Sequence, residues 1–338
     1  MRIDGAIPAT IADAGAQAAH LEALGYDGGM VAELASDPFL PLVAAGASTE
    51  RLQLGTGIAV AFARSPMTLA NTAFDLQQFT KGRFVLGLGS QIKPHITKRF
   101  SMPWSKPAAR MRELIQAMHA IWDNWYDGTP LQFRGEFYQH TLMTPMFTPA
   151  MTEFARPKVY LAGVGPLMTE VAGEVADGFI AHAFTTASYF EAITLPALEA
   201  GLASSGRTRS DLDVSMPVFI VPGETDAERA ENAQPIRQQL AFYGSTPAYA
   251  GVLEHHGWDG LQPELNAMSK QGQWVEMADK ITDEILDQFA VQGPVTQLPR
   301  LVHDRYGSLL DRLQFSTRIE ADALPEFLGE LRALRTEG

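Results

Sequence analysis

Two glycine-bearing turns and a few polar residues near them carry most of the chemical promise of this 338-residue chain. The first turn, Ala162-Gly-Val-Gly-Pro166, follows an apolar run and precedes a helical pattern. Gly163 and Gly165 let the backbone approach a ligand closely, with Val164 between them and Met168 just beyond. A helix start there offers free N–H groups and the positive end of a dipole, which suits a phosphate group. A plain tight turn is the competing reading. The second, Gly87-Leu-Gly-Ser-Gln-Ile-Lys-Pro-His95, also ends an apolar run. Gly89 and Ser90 can present amides, while Gln91, Lys93 and His95 add side-chain donors beside Lys98 and Arg99. A solvated basic loop with a surface histidine would have the same composition.

Four further positions deserve the same weighing. Glu33, set between Ala32 and Leu34, is a candidate for acid/base work, against the plainer reading of a loop or helix-start carboxylate. Arg64 closes the apolar turn Ala59-Val-Ala-Phe-Ala63. Pairing with a carboxylate is favoured for it over contact with an anionic ligand. His182 and Thr185, with Phe184 between them, follow an apolar run and can line a substrate cavity.

Other chemistries are excluded by what is missing. The chain has no cysteine, so disulfides, thiolate metal sites and cysteine nucleophiles drop out. His255 and His256 are adjacent, a poor spacing for chelation, and no HExxH-like pair occurs; no metal is expected. Neither a Gly-x-Ser-x-Gly nor a Walker-type sequence is present. A net charge of −13 argues against nucleic acid and anionic membranes as partners. No apolar run reaches the ~18 residues of a membrane span, and the N-terminus shows no signal-peptide pattern, so a cytoplasmic protein is expected.

To act together, these residues must be brought to one place. Eight strand candidates punctuate the chain: Ile3–Ile7, Gly28–Ala32, Leu52–Ile58, Phe84–Leu88, Lys158–Leu161, Gly178–Ala181, Val214–Val221 and Arg312–Phe315. Helical patterns alternate with them at Ile11–Leu24, Pro66–Phe79, Pro107–Trp125, Pro166–Val175, Glu224–Tyr243 and Leu324–Leu334. Such alternation predicts an α/β fold. Eight repeats without an early dinucleotide fingerprint favour a (β/α)₈ TIM barrel over a doubly wound sheet. Residues 1–338 then form one barrel domain with insertions near 127–154 and 243–300. In a barrel, function sits at the C-terminal ends of the strands, where the two glycine turns, Glu33, Arg64, His182, Phe184 and Thr185 fall.

As a set, the segments resemble the luciferase-like monooxygenase superfamily, in its coenzyme F420-dependent branch. The resemblance rests on Gly25-Tyr-Asp-Gly28, Leu54-Gly-Thr-Gly-Ile58, Ala63-Arg-Ser-Pro66, Lys81-Gly-Arg-Phe-Val-Leu-Gly-Leu-Gly89, and Ala162-Gly-Val-Gly-Pro166 running into Ala172-Gly-Glu-Val-Ala-Asp-Gly178. It implies a cofactor ring across the barrel mouth, against a turn after the third strand that often holds a non-proline cis peptide, here near Gly57, Ile58 and Ala59. It implies a cofactor phosphate at Gly163–Gly165, and places Gln91, His95 and Glu33 near the ring. The sugar-phosphate dehydrogenases of the family carry a histidine where this chain has Leu34 and a glutamate where it has Ile92. Their substrate-phosphate lysine gives way to the His182–Thr185 environment. A sugar phosphate is therefore not expected. What the resemblance implies is F420-dependent hydride transfer to or from an uncharged or partly apolar molecule, with His95 and Glu33 handling a proton, in a homodimer. An FMN-dependent monooxygenase is the alternative, and a non-catalytic cofactor-binding barrel the second.

Overall fold

The computed structural model describes residues 1–150, 153–315, 319 and 322–334. Eight parallel strands build the sheet: β1 (Arg2–Ala6), β2 (Gly28–Val31), β3 (Gln53–Thr56), β4 (Phe84–Gly89), β5 (Lys158–Gly163), β6 (Gly178–Ala181), β7 (Asp213–Pro222) and β8 (Arg312–Phe315). Each pairs with the next, and β8 returns to β1, pairing Arg2 with Arg312. The sheet is a closed barrel. All eight strands lie where the apolar runs predict them, with ends that move by at most two residues.

Helices α1 (Ile11–Leu24), α2 (Phe39–Ala47), α3 (Pro66–Phe79), α4 (Pro107–Asp127), α5 (Pro166–Val175), α6 (Leu195–Ser204), α7 (Asp226–Gly244), α8 (Ala250–His255), α9 (Leu261–Lys270), α10 (Asp283–Phe289), α11 (Leu298–Tyr306) and α12 (Leu324–Leu334) follow in order. The termini have local causes. Ser65 Oγ accepts from the Thr68 amide at 3.1 Å, with Pro66 in the first turn of α3. α1 stops at Gly25, whose φ of 81° is left-handed.

Several elements escape the pattern reading, α6 and α11 among them, and two show why. α2 is apolar nearly all round (FLPLVAAGA), so no helical period stands out; it buries Phe39, Pro41, Leu42 and Ala45. A short strand, Ala290–Gly293, pairs with the upper half of β7 from Phe219 to Pro222. Its four residues show no alternation and lie inside the segment read as an insertion. That segment is built around a core of its own, in which Phe219, Leu240, Leu253, Leu265 and Phe289 surround Phe184.

The N-terminal end of the barrel is plugged by ionic side chains. Arg312 pairs with Asp4 through both carboxylate oxygens, each side chain at most 2% exposed. Arg2 and Tyr160 bind Asp213 beside it. With that floor closed, the C-terminal rim is the way in.

Candidate active site at the barrel mouth

Side chains alternate along a strand, so one parity faces the barrel interior. Phe179 packs outward, near Gly163 and Met168 of α5. Ile180 points inward: its Cδ1 lies 3.1 Å from where a Cβ on Gly87 would stand, although β4 and β6 are separated by β5. Above Val85, the inward positions of β4 are thus glycines, Gly87 and Gly89. A Cβ on Gly89 would come within 2.7 Å of Ile58 Cδ1. Ala6 and Gly57 are exposed and Ala32 and Ala162 half-buried, so small residues line the C-terminal ends of these strands.

The turn after β3 is held from three sides. The Gly57–Ile58 peptide is cis, in the turn where the resemblance implies such a bond. The Gly57 amide donates to Val31 O at 2.7 Å and the Glu33 amide to Ile58 O at 3.0 Å. Glu33, only 6% exposed, accepts the Val60 amide at 2.7 Å and receives both terminal nitrogens of Arg64, at 2.6 and 3.1 Å. Arg64 also reaches Asp37 at 2.9 Å and Val60 O at 3.1 Å. Ala59 and Val60 then pair with Leu88 and Gly89, both residues fully buried. Structural pairing therefore occupies Arg64. The Glu33 carboxylate is committed to the turn.

On β4's loop, Ser90 and Gln91 are half-buried, and Gln91 takes a left-handed φ of 57°. His95 is exposed at the start of a π-helical turn, His95–Arg99. Arg99 hydrogen-bonds Leu34 O, tying the β4 loop to the β2 loop across the rim. At β5, Gly165 opens α5 with empty space where a Cβ would be, while Gly163 is buried and Val164 and Met168 half-buried. Because all eight strands run parallel, this turn and the β3 turn share one rim.

After β6, the sequence-derived trio separates. Phe184, 2% exposed, stacks on Phe289 at 4.7 Å in the insertion's core. Thr185 is buried, with Oγ1 lacking a hydrogen-bond partner among the described residues. His182, one residue past the end of β6, is half-buried. Its rings for neighbours are Tyr249, stacked at 4.7 Å, and Tyr243, edge-on at 4.6 Å. Pattern reading passed over both tyrosines, because they lie in the insertion and nothing local marks them.

The luciferase-like monooxygenase family model matches residues 2–312 of the chain. The chain belongs to that family. Membership makes it an oxidoreductase. An uncharacterized protein of Mycobacterium tuberculosis is 52% identical over 313 residues, covering 93% of this chain and 92% of the relative. An F420-dependent glucose-6-phosphate dehydrogenase of Nakamurella multipartita is 31% identical, over 77% of this chain and 73% of its own length. In fold, the chain is similar to the coenzyme F420-dependent tetrahydromethanopterin reductase of Methanopyrus kandleri, with a TM-score of 0.74 at 19% identity, covering 97% and 98% of the two chains. It is likewise similar to the oxygenating constituent of a Pseudomonas putida 3,6-diketocamphane monooxygenase in complex with FMN, with a TM-score of 0.64 at 18% identity, covering 96% and 91%. Identities this low speak to the fold alone. Among the described residues, no helix of this family member is long and apolar enough to cross a membrane.

Proposed function

We propose that this cytoplasmic protein is an F420-dependent oxidoreductase acting on a small uncharged organic molecule. The observation that carries the reading is a glycine-lined wall, Gly57 exposed in the clamped β3 turn and backed by the buried Gly87 and Gly89, on the same rim as the open start of α5. A flat tricycle needs such a wall, and its phosphate needs amides like those around Gly165. When bound, the deazaflavin supplies the hydride chemistry. The residues present fit the group: Ile58 and Ala59 would back the ring, Ser90 and Gln91 its edge, and Gly163 to Gly165 with Met168 its phosphate. Glu33 and Arg64 keep the β3 turn in shape and act as positioning residues. His95, exposed and with no hydrogen bond to its ring among the described residues, is the proton handler we propose. Sequence relatives named for F420 support the deazaflavin over FMN.

The test is a binding titration. F420 should quench or shift on addition of protein, with FMN binding at least about tenfold more weakly. Gly165→Val should leave stability unchanged, since the space beside it is open, yet weaken F420 binding by about tenfold or more. Tight FMN binding without F420 binding, together with oxygen consumption by the reduced flavin, would transfer the assignment to an FMN-dependent monooxygenase. Cofactor capture without turnover across carbonyl and enone substrates would leave a binding barrel.

A further inference from the structure

The rim just past β6 is aromatic, and its centre is His182. The Phe184 amide donates to His182 Nδ1 at 3.0 Å. That bond settles the tautomer, because Nδ1 must then hold a lone pair and Nε2 the hydrogen. Burial pulls the imidazole down to about 4, so it is neutral at pH 7. Tyr249 stacks on the ring and Tyr243 meets it edge-on, so its orientation is set by packing and its nearest surfaces are flat and uncharged. Nε2 meets no acceptor among the described residues, and it is not one of the polar atoms sealed from solvent. Thr185 Oγ1, on the same loop, is a second polar atom without a partner among the described residues.

We propose that the His182 Nε2–H is the substrate-recognition donor of the mouth, and that it takes the oxygen of a flat, uncharged carbonyl compound laid against Tyr243 and Tyr249. The alternatives fail on charge or on hydrogen bonding. A carboxylate or phosphate would lose its water in a group of rings that offers no cation to pair with it. A hydrocarbon of the same shape would leave the Nε2–H without an acceptor once water is displaced. A carbonyl oxygen meets the donor and brings no charge. His182 acts here by orientation, holding the oxygen and so fixing how the carbon beside it is presented. This inference rests on reading the mouth as the active site. Its test is run without cofactor, so that the two stand or fall separately.

The probes are acetophenone, ethylbenzene and benzoate, added to the full chain and followed by tyrosine fluorescence and by ¹⁵N resonances of the imidazole nitrogens. Acetophenone should bind and move the His182 Nε2 resonance, with ethylbenzene and benzoate at least about tenfold weaker. His182→Phe keeps a ring between the tyrosines and should reduce acetophenone to the affinity of ethylbenzene. Benzoate binding as tightly as acetophenone would overturn the proposal, as would undiminished acetophenone affinity in the variant. Should His182→Phe fail to fold, the wild-type ranking and the tautomer still decide: a hydrogen on Nδ1 overturns it. Loss of F420 binding in the separate titration would remove the proposed cofactor and leave this donor's behaviour intact.

Discussion

Glu33 and His182 show how little a residue's type says about its work until its neighbours are known. Glu33 reads as an acid/base candidate from its position after an apolar strand, yet its oxygens are filled by Arg64 and the Val60 amide. The pairing of Arg64 with a carboxylate is legible in the sequence; the identity of that carboxylate is not, because strands two and three meet only in the barrel. His182 reads as a pocket residue, and its tautomer and burial come from Phe184, Tyr243 and Tyr249. A titration prediction belongs at this scale. Burial lowers His182 to about 4, and lowers His119 to about 4 as well, with Arg156 adding to the effect there. Both folded-state values lie below the unfolded value of 6.5. Between them the unfolded chain binds more protons than the folded one, so stability rises with pH and is lost on acidification. Each group is worth on the order of 3 kcal/mol once the pH is below its folded value. Urea midpoints should fall steadily from pH 7 toward pH 4.5, and His182→Phe should flatten part of that slope. A midpoint that holds or climbs on acidification would count against the burial of these rings.

At the scale of elements, the aromatic stretch near 127–154 stands out as unusual in the sequence, but nothing there says how it is fixed. Glu113, on the first turns of α4, accepts the amides of Glu136, Phe137 and Tyr138 at 2.9, 2.7 and 2.6 Å. Arg110 adds a bond to Tyr138 Oη at 2.9 Å while lying over the Phe62 ring. These contacts tie the hairpin Phe133–Arg134 with Gln139–His140 to the barrel and to the turn after β3. No local pattern announces them, because both partners belong to elements that meet only after folding. Beyond the hairpin, Leu142, Met146 and Phe147 are 78, 87 and 72% exposed. Apolar side chains so far out on a fixed support are suited to a two-fold contact with a second copy, the commonest symmetry for such enzymes. Sedimentation velocity should show a homodimer at micromolar concentration, with Met146→Glu and Phe147→Glu together moving the population toward monomer. A wild-type chain that sediments as a monomer would remove the dimer reading.

The whole molecule depends on a closure that joins its two ends. Eight strands were readable because a parallel strand covered on both faces is a short apolar run, and the barrel's mouth followed from the rule that function gathers at strand C-termini. The plug at the other end was not readable. Asp4 and Arg312 are 308 residues apart and become partners only when β8 docks against β1, so neither looks different from a surface charge in the sequence. Inside the barrel they are almost wholly enclosed, with Gln53 as a further acceptor for the guanidinium. Arg312→Met would leave the Asp4 carboxylate buried without its cation, and breaking such a pair costs about 3–5 kcal/mol. Replacing both, Asp4→Leu with Arg312→Met, removes the desolvation penalty along with the attraction and should recover most of the loss. Urea unfolding of the three variants measures this directly. If the double variant is as unstable as the sum of the singles, the pair is not coupled and the closure is held by packing of the strands alone. If it recovers, the two side chains act as one unit at the floor, and their pairing is part of what holds β8 against β1 and closes the barrel.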